Sequence, residues 1–118
     1  MKNSTNIPTE SPRKTRKMDR LEKIAIDEIA YARAKANYTE IILLNGDILT
    51  VSKTLKSVED YLANSLFLRI HKTYVIAMSQ LEGYQLHDGA YAKLKSGLQL
   101  PISRRRKSEF LSAVRNSK

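Results

Sequence analysis

Apolar and polar positions change period several times along the chain, and each change marks an element. In KIAIDEIAYARA, residues 23–34, apolar residues alternate loosely around Asp27–Glu28, which predicts two short strands divided by the acidic pair. Lys35–Asn37 makes a polar break before YTEIILL, a predicted strand ending at Leu44. Asn45–Gly46 then separates that run from DILTV. An Asn-Gly pair between β-rich runs signals a hairpin, because both residues tolerate positive φ. The period lengthens in TLKSVEDYLA, where Leu55, Val58 and Leu62 fall at i, i+3 and i+7. That spacing predicts an amphipathic helix with Thr54 as N-cap and Asn64–Ser65 at its close.

FLRIHKTYVI, residues 67–76, is the most core-like stretch, apart from Arg69, yet the polar triplet His71, Lys72, Thr73 divides it. Beyond it, Asp88–Gly89 and Ser96–Gly97 are turn signals framing a meander of three strands. SRRRKSEFLSAV reads as a second helix with Ser103 as N-cap and Phe110, Leu111 and Val114 as a narrow apolar face. The inventory predicts a mainly β fold, small antiparallel sheets in stacked layers with two short helices.

Composition changes this picture at the N-terminus. Residues 1–20, MKNSTNIPTESPRKTRKMDR, hold two prolines and almost nothing to bury, so they read as a flexible basic tail before one domain over residues 21–118. The chain has no cysteine, which excludes disulfides and thiolate metal sites. It contains neither an apolar run long enough for a transmembrane helix nor a secretory h-region, so a cytoplasmic protein with no membrane contact is expected.

Charge narrows the function. The net charge is +9, with six Lys/Arg against two acids in residues 1–20 and six against one in residues 100–118. Segment 21–60 is net negative by two. Cations massed at both ends suggest a polyanionic partner, most often nucleic acid, against the simpler reading of a soluble basic protein with solvated charges. Arg104, Arg105, Arg106 and Lys107 open the second helix, the end that already carries partial positive charge. Four cations there suit a phosphate backbone, the alternative being a solvated run held in place by the apolar face.

No catalytic or metal-binding constellation emerges. His71 and His87 lack a flanking ligand pattern, and no Gly-rich loop or nucleophile elbow accompanies Ser103. Lone histidines are usually hydrogen-bonded structural residues, and solvation accounts for Asp27–Glu28 and Glu59–Asp60. No enzyme activity or cofactor is expected. The six tyrosines are dispersed rather than gathered into a stacking platform, with Tyr38, beside a polar break, the one to watch.

FLRIHKTYVI closely resembles the signature of the LytTR DNA-binding family, in which a strand ending in Phe-x-Arg-x-His is followed by Ser or Thr and then Tyr. Phe67, Arg69, His71, Thr73 and Tyr74 fit. The resemblance extends to DEIAYARAKANYTEI, TLKSVEDYL and LPISRRRKSEFL, and so covers roughly residues 22 to 115. It implies an elongated arrangement of three small antiparallel sheets with short helices. It also implies double-stranded DNA as partner, bound by loops entering successive major grooves. The implied reading loops are the break at Asn37, Tyr38 and Thr39, the turn at His71 and Lys72, and the loop entering the last helix at Arg104. Of the triplet, Lys72 is expected to reach bases or phosphate, while His71 braces the turn. Arg104 suits guanine; Arg105, Arg106 and Lys107 suit sequence-blind phosphate contacts.

Two positions depart from the family pattern. Ala77 stands where Asn is usual, so Ser79 is expected to cap the next turn, and Lys72 replaces the Asn or Arg of relatives. Family members are often fused to a receiver domain or a membrane segment, whereas this chain is expected to be a stand-alone regulator binding repeated half-sites, as a homodimer or as two copies on DNA. Two other readings compete: a small RNA-binding or ribosome-associated protein, and an interaction module for another regulator of the family.

Overall fold

The computed structural model describes residues 14–63 and 66–116. Asn64–Ser65, expected to close the first helix, and residues 1–13, most of the expected tail, lie outside the described residues. The strands are β1 Thr15–Lys17, β2 Ile29–Ala34, β3 Thr39–Leu43, β4 Ile48–Val51, β5 Phe67–Arg69, β6 Tyr74–Ala77, β7 Leu81–Gln85, β8 Tyr91–Leu94 and β9 Gln99–Pro101. The helices are α1 Leu55–Tyr61 and α2 Lys107–Asn116.

One sheet has six strands in the order β1-β4-β3-β2-β6-β5; the other is the expected meander, β9-β8-β7. The described strands thus pair into two sheets rather than three. β2 joins β3 on one side and β6 on the other, fusing two hairpins into one sheet. All pairings are antiparallel except β1 with β4, which is parallel. β1 falls within the stretch read as tail. All three of its residues are exposed, so its docking rests on backbone hydrogen bonds, which leave no apolar pattern in a sequence.

The six-stranded sheet is the wall between two cores. Adjacent side chains of a strand face opposite sides, and Phe67 and Leu68, Val75 and Ile76, and Ala32 and Tyr31 divide accordingly. One face packs under α1, with Leu55, Val58 and Leu62 against Ile41, Leu49 and Val75. The other packs Ile70 and Ile76 against Ala92, Leu94 and Leu100 of the meander and Phe110 of α2. Cover on both faces explains why adjacent positions are apolar on either side of the triplet, at Phe67–Leu68 and Tyr74–Ile76, instead of alternating.

Local chemistry refines several expectations. KIAIDEIAYARA yields one strand, not two: Leu21–Lys23 and Ile26–Glu28 are 3-10 turns. The spacing of three between Leu21 and Ile24, and again between Ile26 and Ile29, is the period of such turns. Asn45–Gly46 does close a hairpin, but only Gly46 has positive φ, 94°. The Leu43 N–H donates to the Asp47 carbonyl and the Gly46 N–H to the Leu43 carbonyl, both at 2.9 Å. This is the three-residue loop in which a type I turn precedes one left-handed residue. Asn45 contributes its side-chain oxygen, which accepts from the Asp47 N–H at 2.8 Å. Ser96–Gly97 repeats the design, the Ser96 hydroxyl accepting from the Leu98 N–H at 3.3 Å.

Thr54 caps α1 as expected, its hydroxyl accepting from the Ser57 N–H at 3.1 Å. Ser103 makes no side-chain cap, because Arg104–Arg106 form a 3-10 turn ahead of α2 and the Ser103 carbonyl takes the Arg106 N–H at 3.0 Å. Ser79 caps nothing either; it lies inside the 3-10 turn Met78–Gln80. Among the described residues, no helix is long and apolar enough to cross a membrane.

Phe110 is fully buried and anchors α2 to the second core. Phe110→Ala is expected to cost about 3–5 kcal/mol of stability, read as a lower urea midpoint at unchanged m-value.

Candidate nucleic-acid interface

Strand register puts several chain segments at one end of the large sheet. β2 finishes at Ala34 opposite Thr39, where β3 begins, and Arg33 pairs with Tyr74, where β6 begins. β5 finishes at Arg69 opposite Val75, β4 at Val51 opposite Thr39, and Lys17 of β1 lies opposite Thr50. The break at 35–38 and the polar triplet at 71–73 therefore emerge side by side, and the Ala34 N–H donates to the Thr73 carbonyl at 2.8 Å. The Ser103 N–H donates to the Ile70 carbonyl at 2.8 Å, which brings in the Arg104–Lys107 segment as the third member.

Arg69 shapes the central loop. A guanidinium in an apolar strand must find acceptors, since a buried unsatisfied cation is costly. Its Nε donates to the His71 carbonyl at 2.7 Å, one terminal nitrogen to the Lys72 carbonyl at 2.8 Å, and the other to Glu59 of α1 at 2.7 Å. The side chain is only 12% exposed. Glu59 also lies 4.0 Å from Arg106, which reaches Glu109 at 3.4 Å. Solvation was the expected role of Glu59; instead it ties two of the three loops together. The signal that could have found it lies ten residues on, at Arg69, whose guanidinium inside a core-like run needs acceptors.

His71 braces the loop from within, its Nδ1 accepting the Thr73 N–H at 3.1 Å. Its ring lies near that of Tyr74, with centroids 6.0 Å apart. Burial, with the neighbouring Lys72 and Arg69 charges adding to it, pushes the imidazole pKa below its ordinary value. Lys72 is exposed, while Asn37 is exposed and Tyr38 half-buried on the first loop. Thr39 is not at the surface: it is fully buried, and its hydroxyl donates to the Lys53 carbonyl at 2.7 Å. It supports the first loop from below rather than reaching a ligand.

Arg104 and Arg105 are exposed, whereas Lys107 and Arg106 are half-buried, Arg106 turned toward Glu59 and Glu109. Arg33, flanking the first loop, is paired through two nitrogens to Glu40 at 2.6 and 2.9 Å. Burial works against its charge, but the hydrogen bond and Coulomb attraction of Glu40 outweigh that and raise its pKa. Glu40, Glu59 and Glu109 thus each engage an arginine. Lys17, Lys35, Lys53, Lys72, Arg104 and Arg105 stay exposed at the same end. Asp27, Glu28 and Asp47 sit at the opposite end, where β2 begins and the β3–β4 hairpin turns. Among the described residues, no group of three His, Asp or Glu could hold a metal ion.

Such a β scaffold presents an exposed cationic rim of loops, a surface complementary to polyanions. The sequence matches the LytTr DNA-binding domain family over residues 19–115, and the chain belongs to that family. Its fold is similar to the solved LytTr DNA-binding domain of a Bacillus cereus protein, with a TM-score of 0.69 at 18% identity, covering 77% of this chain and 84% of that one. No curated protein matches the sequence.

Two outcomes follow from this geometry. Arg69→Lys keeps the charge but cannot supply three donors in a fork. It is expected to cost about 2 kcal/mol and to speed amide exchange at Thr73 and Tyr74 while leaving the Leu43–Asp47 hairpin unchanged. For His71, the folded pKa lies below the unfolded one, so the unfolded chain binds more protons between the two values and stability rises with pH there. The contribution is present above the ordinary imidazole range, about 6.5, and is lost as the pH falls from there through the depressed folded value. His71→Asn keeps an acceptor for the Thr73 N–H and does not titrate. Its urea midpoint is expected to fall less than wild type between pH 7.5 and pH 5.5, in buffers spanning about one unit either side of that range.

Proposed function

We propose that this chain is a cytoplasmic transcription regulator that recognises specific duplex DNA by setting its three loops into successive major grooves. The observation that carries the reading is the levelling of three loops at one sheet end with their carboxylates engaged and their cations exposed. The molecule's larger dimensions, 43 and 36 Å, compare with one turn of B-DNA, about 34 Å. Loops on one edge of such a body can meet one face of the duplex without a recognition helix.

Roles divide by mobility and chemistry. Arg104 is exposed and free to form the bidentate contact to guanine O6 and N7. Lys72 and Asn37 contact base edges from the other two loops, with His71 holding the shape of the central one. Arg105 and Lys107 contact phosphates, and Arg106 joins them by exchanging part of its carboxylate pairing for phosphate. Two copies on repeated half-sites supply the length of a specific operator. The reaction class is binding alone, with no catalytic step and no cofactor.

The test is selection of bound duplexes from a random DNA library at near-physiological salt, with wild type and Arg104→Ala in parallel. A repeated short motif is expected for wild type, blurred at one base pair by the mutation, with a loss of about 1–3 kcal/mol for the best site. Equal, salt-sensitive recovery of unrelated sequences would refute sequence-specific reading. Duplex RNA serves as competitor; its deep, narrow major groove excludes side chains, so effective competition would move the RNA reading ahead.

A further inference from the structure

The N-terminal strand β1 places a cation where none of the three loops supplies one. Its parallel register runs Thr15 opposite Ile48, Arg16 opposite Leu49 and Lys17 opposite Thr50, so it advances along β4 toward the loop end. The Met18 N–H donates to the Thr50 carbonyl at 2.8 Å, and Met18 packs against the first core. The backbone at Lys17 is thus fixed on both sides, by strand pairing before it and an apolar anchor after it.

Beside it opens a cleft of about 490 Å³ lined by Lys17, Asn37, Tyr38, Thr50, Val51 and Ser52. Its polar side chains are an ammonium, a carboxamide and three hydroxyls, and no carboxylate is among them. Lys53 is exposed next in the chain, beyond Ser52. A site rich in donors, with a cation on its rim and no acid in its lining, favours an anionic oxygen ligand over a cation or an apolar group.

We propose that this cleft is a phosphate site, in which Lys17 and the Tyr38 hydroxyl grip one phosphodiester of the DNA backbone flanking the base-reading loops. The proposal deepens the DNA-binding reading and rests on it. β1 then acts as a fourth contact segment, one that positions the protein on the duplex without reading sequence. This assigns Tyr38 to backbone contact through its hydroxyl and leaves base reading on the first loop to Asn37.

Lys14 provides the internal control. It carries the same charge just before the other end of β1, about 10 Å away at 3.3 Å per residue, where its N–H meets Asp47 at 3.4 Å. That separation is about one Debye length at 0.1 M salt, so screening weakens what a charge at one position contributes at the other. The experiment measures affinity for a selected duplex across a salt series for wild type, Lys17→Ala, Lys17→Arg and Lys14→Ala, with thermal melts confirming folding. Lys17→Ala is expected to reduce the slope of log K against log salt by about 0.9, equally on specific and non-specific duplexes. Lys17→Arg should keep the slope, and Lys14→Ala should leave it unchanged. Equal losses for Lys14→Ala and Lys17→Ala would overturn the proposal in favour of diffuse charge. No loss for Lys17→Ala, with Arg105→Ala still reducing the slope, would overturn it while sparing the DNA-binding reading. Absence of wild-type binding to any duplex would sink both.

Discussion

The guanidinium of Arg69 makes three bonds at once, to the His71 carbonyl, the Lys72 carbonyl and the Glu59 carboxylate, and the arrangement of the loops depends on them. Loop carbonyls that turn inward toward a buried cation leave side chains free to turn outward, which is how Lys72 comes to be exposed. The same Glu59 faces Arg106, so the position of the last helix and the form of the central loop are not independent. A polar triplet inside a core-like run is therefore a turn held from underneath, with Tyr74 and Ile76 resuming contact with the second core directly after it.

The second constraint is the double-sided sheet. Because α1 covers one face and the meander with α2 covers the other, strand ends are the main places where the large sheet can present polar chemistry. One end collects the carboxylate-bearing turns and the other the cationic loops. Thr39 shows the limit of this rule: it stands at a strand end but points inward, and its hydroxyl satisfies the Lys53 carbonyl. Fully buried Thr39 with its hydroxyl left unpaired would destabilise the loop, so the residue belongs to the support of the site.

Periodicity made much of this legible. α1 with its Thr54 cap, the Asn45–Gly46 hairpin, the three-stranded meander and the apolar face of α2 all follow from spacing and turn residues. The FLRIHKTYVI stretch carried both the family and the loop. The misses share a cause, since each depends on partners remote in sequence or on backbone alone. Glu59 could be read as solvated because nothing local reveals Arg69 ten residues on. β1 has no buried side chain to betray its pairing. The 3-10 turns at Leu21–Lys23 and Ile26–Glu28 mimic loose strand alternation over so short a window.

Separation of charge along the sheet also bears on how the molecule meets its target. Asp27, Glu28 and Asp47 at one end of the large sheet and six exposed cations at the other give its charge a dipolar component along the strands. On the proposed reading, the field of a polyanion exerts a torque on this component and biases encounters loops-first. Orientation of this kind raises the productive fraction of collisions, and it fades as ionic strength shortens the reach of the field.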